Sequence, residues 1–252
     1  MRIRLVLGLL VPLLAASAQA ADVPAGVIAC QACHGATGIS AGAATPNLAG
    51  QKADYLAGQL AAFKRGDRKH EVMQSIAGQL SEADMKSLAQ YWSAQSPAAP
   101  EGHAPANAAI HSRAVLPADF PAGFTLYETD DSPGDGTVTR RFANATAVRA
   151  VRAGQTLPSG AMLVSVTYQR QPDGKAGAVR GYSAMESRIG WGEAVPALLR
   201  NGDWDYALFD AAGARRDALN QAHCLACHRP QAADSYVFTM KALRAAAAKP
   251  AS

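Results

Sequence analysis

The stretch LNQAHCLACHRPQAADSYVF, Leu219 to Phe238, carries a Cys-x-x-Cys-His unit at Cys224, Cys227 and His228, and only 24 residues follow that histidine. The same unit stands near the other end, as CQACH from Cys30 to His34. In the front half Met73, the next methionine along the chain, stands 39 positions after His34. The back half has no room for a segment of that length after its histidine. Its motif closes a domain where the first opens one, so the halves are different folds and not a duplication.

All four cysteines of the chain fall in these two units. In an exported protein four cysteines ordinarily read as two disulfides. A redox pair of thioredoxin type opens a helix after a strand, and neither copy follows a strand signal. A shared zinc site would have to join two halves that read as independent. Haem attachment suits the spacing better. Cysteines at i and i+3 on one helical turn project to the same side, so both thiols reach the two vinyl groups of one porphyrin. The adjacent histidine then presents its imidazole to the iron. Two units imply two covalently attached haem c groups.

The N-terminus agrees with this chemistry. Arg2 and Arg4 precede an apolar run, Leu5 to Leu14, and the small residues SAQA before AD. That is the pattern of a signal peptide over residues 1–20, cut near Ala20 or Ala21. The run is short of the about 20 residues a spanning helix needs. A periplasmic protein with no membrane span after cleavage is expected. Without Arg2 and Arg4 the 24 basic residues fall to 22, against 20 acidic ones. No basic run with interleaved aromatics supports nucleic-acid binding.

An Ala/Pro-rich stretch without apolar periodicity, residues 97–116, reads as a linker between a front domain, 22–96, and a back domain, 117–246. The front reads as helical: Val27 to His34, Ala53 to Phe63, and Ser81 to Gln95. The last opens with a capping box at Ser81 and Asp84 and puts Met85, Leu88, Ala89 and Trp92 on one face. In the back, AMLVSVTY (Ala161 to Tyr168) alternates apolar and polar positions as a strand does. AVRGYSAM and WDYALFD supply two further strands, with helices over Ala145 to Ala153 and from about Asp217. The expected fold is an all-α domain followed by an α+β domain with an antiparallel sheet.

CQACHG, TPNLAGQKADYLAGQLAAFKRGDR and MQSIAGQLSEADMKSLAQYW together resemble a small bacterial class I cytochrome c, over residues 24–95. The resemblance implies that His34 and Met73 bind the iron from opposite sides, and that the Pro46 carbonyl receives the N–H of His34. Met85 belongs to the apolar stripe of its own helix, and His70 reads as a solvated loop residue.

RRFANATAVRAVRAG, LPSGAMLVSVTY, GYSAMESRIGWG, LRNGDWDYALFDAAG and CLACHRPQAADSYVFT resemble the cytochrome P-460 and cytochrome c prime beta group, over most of residues 117–242. This implies a haem bound through His228 alone, its other face open to small nitrogen compounds. Arg141 and Glu186 lie in matching blocks and are the candidate catalytic residues. The chain departs from the hydroxylamine-oxidising pattern at one place. Those members carry a strand lysine bonded to the porphyrin, and Ser165 stands there here; Lys175 falls in the following turn.

The combination implies a periplasmic dihaem cytochrome. Its six-coordinate haem would pass electrons to a periplasmic electron-transfer protein or terminal oxidase. Its five-coordinate haem would bind or oxidise hydroxylamine or nitric oxide. Two other readings stay open, a nitric oxide-binding module and a plain two-haem carrier. The carrier needs a distal ligand from His103, His111, Met185 or Met240, since His223 is badly placed to reach around the ring of its own motif's haem.

Overall fold

The computed structural model describes residues 23–98, 110–131, 136–217 and 219–249. The expected signal peptide, His103 and residues 99–109 of the expected linker lie outside these. No helix among the described residues is long and apolar enough to cross a membrane.

Four helices come first: α1 (Val27–His34), α2 (Ala53–Arg65), α3 (Glu71–Gly78) and α4 (Glu82–Ser93). The capping box forms as expected. The Ser81 hydroxyl accepts from the Asp84 N–H at 3.1 Å, and the Asp84 carboxylate accepts from the Ser81 N–H at 2.9 Å. The stripe Met85, Leu88, Ala89 and Trp92 buries against Val27, Leu56 and Leu80. Helix α3 is absent from the sequence reading. Its N-cap is His70, whose Nδ1 accepts the Met73 N–H at 3.3 Å, so the expected loop histidine starts a helix.

The sheet follows as a meander, β1 (Phe124–Asp130), β2 (Thr137–Asn144), β3 (Met162–Arg170), β4 (Ala176–Ser187) and β5 (Trp204–Phe209), all neighbours antiparallel. Helix α5 (Ala145–Arg152) links β2 to β3. Asn144 makes that switch. Its Oδ1 accepts from the Ala147 N–H at 3.0 Å and the Met162 N–H at 3.2 Å, capping the helix while holding the start of the next strand. After β5 come α6 (Ala222–His228), a 3-10 turn (Arg229–Asp234) and α7 (Met240–Ala247). Helix α6 begins later than expected. Gln221 is held outside it, its Oε1 accepting from the Tyr206 N–H at 2.9 Å and its Nε2 donating to the His111 carbonyl at 3.1 Å.

Strand alternation divides the sheet into two faces. Met162, Val164, Val166, Ala184, Ala207 and Phe209 bury on one, with Ala114. Ala143, Leu163, Met185 and Tyr206 bury on the other, in one cluster with residues of α5, α6 and α7. That second cluster also takes in Ala29 and Ala32 of α1 and Ile76 of α3. The halves are therefore not independent as their sequences suggest. Ala222, Leu225 and Ala226 of α6 belong to the same cluster, and the two alanines, with Ala29 and Ala32 of α1, keep the side chains between the two motif helices small. The Asn220 amide donates to the Ala32 carbonyl, and the Gln79 amide to the Leu198 carbonyl at 3.0 Å.

Candidate haem sites

The last turn of α1 sets Cys33 and His34 one turn after Cys30. His34 is buried, and its Nδ1 lies 2.8 Å from the Pro46 carbonyl oxygen. A carbonyl only accepts, so Nδ1 carries the proton and Nε2 keeps a free lone pair. Burial lowers the imidazole's pKa, with the Pro46 bond opposing, which favours the neutral form that binds iron. The chain turns immediately after, at Gly35 (φ 89°), where a Cβ would meet the Ile39 carbonyl oxygen at 2.0 Å. Only glycine passes there.

A cavity of about 240 Å³ opens beside His34, walled by Cys30, Leu60, Met73 and Trp92 among others. The first turn of α3 brings Met73 to it. Burial pushes the Cys30 thiol up to about 11, with the nearby Trp92 side chain pulling the other way. The Trp92 Nε1 atom is buried without a hydrogen-bond acceptor. Two free thiols, an imidazole with its outer nitrogen free, a thioether and an orphaned donor around an apolar cavity form a donor set that fits a covalent haem.

Helix α6 repeats the arrangement with a different carbonyl. His228 Nδ1 lies 2.7 Å from the Tyr236 carbonyl oxygen. That carbonyl is turned back by two non-glycine residues in the left-handed region, Ser235 (φ 53°) and Tyr236 (φ 62°). Such residues cost about 1–3 kcal/mol each and persist only where their surroundings hold them. Here the Ser235 hydroxyl accepts from the Leu157 N–H at 3.2 Å and the Tyr236 N–H donates to the Gln231 carbonyl at 2.7 Å. The His228 ring lies between Tyr206 and Phe238, with ring centroids 4.6 and 4.9 Å away. Burial lowers the His228 pKa, opposed by the Tyr236 bond. Tyr206 is fixed in turn by Asn201, whose Nδ2 lies 3.1 Å from the phenol and 2.8 Å from the Leu225 carbonyl. Cys224 and Cys227 are free and half-buried, and this donor set also fits a covalent haem.

The sheet face shared with Tyr206 continues as a polar row. Arg141 pairs with Ser165, and Ser165 with Ser183, one pleat beyond Leu163 and Met185. A β-bulge between Leu126 and Glu128 brings Glu128 opposite Arg141, whose guanidinium is held by Glu128 at 2.9 Å and Asp130 at 3.3 Å. Arg141 is therefore on the His228 face. Glu186 is not brought there. It pairs with Met162 and Asp205 on the opposite face, buried, with Arg188 2.7 Å away. Lys175 is an exposed turn residue paired with Asp173 at 3.0 Å. Met185 and Met240 are buried in the shared cluster, and His111 Nδ1 lies 3.2 Å from the Asp217 carbonyl.

Sequence reasoning did not find Tyr206, Asn201, Tyr236 or Phe238. The pair Ser235–Tyr236 carries no turn signal, because left-handed backbone at ordinary residues leaves no glycine to mark it.

Two families match the chain: cytochrome c oxidase, cbb3-type, subunit III over residues 24–91, and cytochrome P-460 over residues 117–239. A thiosulfate dehydrogenase electron acceptor of Thiomonas intermedia (strain K12) is 37% identical over 131 residues, 51% of this chain and 60% of the relative. One of the same name from Stutzerimonas stutzeri (strain A1501) is 42% identical over 66 residues, 25% of this chain and 31% of that protein. The chain thus spans less than two thirds of either. Cytochrome c-554(548) of Halomonas halodenitrificans is 39% identical over 69 residues, 26% of this chain but 83% of the relative. With the helical front half, the antiparallel sheet behind it and a Cys-x-x-Cys-His helix in each, these matches show that the chain belongs to the c-type cytochromes, with a class I cytochrome c domain in front and a cytochrome P-460 domain behind.

Proposed function

We propose that the chain is an exported dihaem cytochrome whose back haem takes up a small nitrogen species and whose front haem exchanges electrons with a periplasmic partner protein or terminal oxidase. The observation that carries this reading is the repeated histidine geometry: in each motif helix Nδ1 is tied to a backbone carbonyl, leaving Nε2 free. Bound there, a covalent haem supplies a one-electron couple and, where an axial position is open, a site for a diatomic or hydroxylamine-sized ligand.

In this reading residues 1–20 are a cleaved signal peptide, 22–96 and 117–246 the two domains and 97–116 the linker. Cys30 and Cys33 anchor the first haem, and His34 and Met73 ligate it from opposite sides. Methionine ligation raises the potential, so electrons run from the back site toward the front. Cys224 and Cys227 anchor the second haem, which His228 alone ligates. Arg141 lies on the polar row of the same sheet face, held by two carboxylates and so oriented rather than free. Ser165 stands where hydroxylamine oxidisers have their cross-linking lysine, which favours ligand binding over fast hydroxylamine turnover.

The reduced protein with and without carbon monoxide tests this. We expect about half of the haem absorbance to shift, nitric oxide to bind likewise, and the tryptic haem peptide spanning residues 217–241 to carry no second peptide. No shift would leave the plain two-haem carrier. A lysine-containing cross-link with brisk hydroxylamine oxidation would restore the full oxidase.

A further inference from the structure

The cavity beside His34 is not walled by the front half alone. Leu199, from the segment before β5, and His223, the second residue of α6, line it together with Met73 and Ile76 of α3. His223 directly precedes Cys224. It also stands close enough to act electrostatically on His34, behind the effects of burial and of the Pro46 bond. On α6, His223 and Cys227 are i and i+4 and so share one side of the helix. The Cys227 thiol reaches Glu71 Oε2 of α3 at 3.8 Å. Helix α3, which brings Met73 to the first cavity, therefore touches the helix that anchors the second haem. The residue expected to be too badly placed to serve its own motif's haem faces the other haem's cavity instead.

We propose that His223 is a positioning residue shared by both centres: a wall of the first haem's cavity and, through its peptide link to Cys224, part of a covalent path from the second. This rests on the two-haem reading above but needs no particular substrate. On that reading one electron would pass from a ferrous haem held by Cys224, Cys227 and His228, leaving it ferric, to a ferric haem held by Cys30, Cys33 and His34, which would become ferrous. The front haem then gives that electron to the partner protein. Electronic coupling falls steeply with the gap to be crossed, so a ring in the gap transmits better than a void.

The test uses the full-length dihaem protein. A single electron is placed on the fully oxidised protein by pulse radiolysis, and its redistribution between the haems is followed optically at several protein concentrations. We expect a phase independent of protein concentration, slowed several-fold or more in His223→Ala and largely restored in His223→Phe. The near-infrared band of methionine-bound ferric haem reports whether the front site is intact. Its loss in His223→Ala but not in His223→Phe also supports the wall role. A phase that scales with protein concentration, or one unchanged in an intact His223→Ala, overturns the inference alone. A haem assay giving one haem per chain overturns the two-haem reading itself and the inference with it.

Discussion

Met73 and Met85 stand twelve residues apart and have opposite fates. Met73 reaches the haem cavity from the first turn of α3, whereas Met85 is 4% exposed within the helical core. Replacing Met73 with alanine should lower the front-haem potential and abolish the near-infrared band, with little effect on the back haem. Replacing Met85 should leave the band and cost about 2–5 kcal/mol of stability, read from denaturant midpoints, because it opens a buried cavity. If the effects are exchanged, the ligand assignment is wrong. At this scale the motif cysteines and histidines were legible because their spacing is the chemistry, and the Pro46 contact was expected only from the resemblance to class I cytochromes c. Tyr236 was not, because what matters there is a carbonyl and a backbone angle, which no side chain announces.

The elements differ in how plainly the sequence shows them. Helix α4 has a capping box and twelve residues of periodicity. Helix α3 has eight residues and a histidine cap, too little for a periodic signal. Strand β1 is a partly exposed edge strand with a bulge, so its alternation is broken where a sequence reading would look for it. Helix α6 is the element on which both halves depend. Leu225, fully buried in the shared cluster, should cost about 2–5 kcal/mol when replaced by alanine. Since that cluster includes Ala29, Ala32 and Ile76, probes in both halves should report the loss together. A shift confined to the back half would contradict the joint core.

For the whole molecule, haem content is the first measure. Cys224→Ser with Cys227→Ser should halve the covalent haem that survives acid–acetone extraction, leaving the methionine-bound spectrum in place. Alkaline stability is the second. Burial raises the phenol pKa of both Tyr206 and Tyr127. A group whose pKa is higher folded than unfolded gives stability that is whole below the unfolded value, about 10 for tyrosine, and is lost as pH rises beyond it. Denaturant midpoints should therefore fall above that pH, and less steeply in Tyr206→Phe. An equal slope in that variant would remove Tyr206 from the account.

The packing of α6 against α1 and α3 also orders events in time. Cys30 and Cys224 are both half-buried in the folded chain, and desolvation pushes the Cys30 thiol pKa up to about 11. Thiolates are the reactive form, so a chain that closes too soon shuts away the groups its maturation needs. On the two-haem reading, both porphyrins would be fixed while the polypeptide is still open, before the halves dock. Folded apoprotein should alkylate at Cys30 and Cys224 far more slowly than the same chain in denaturant, and equal rates would refute this order. Biogenesis is thus a race between attachment and collapse.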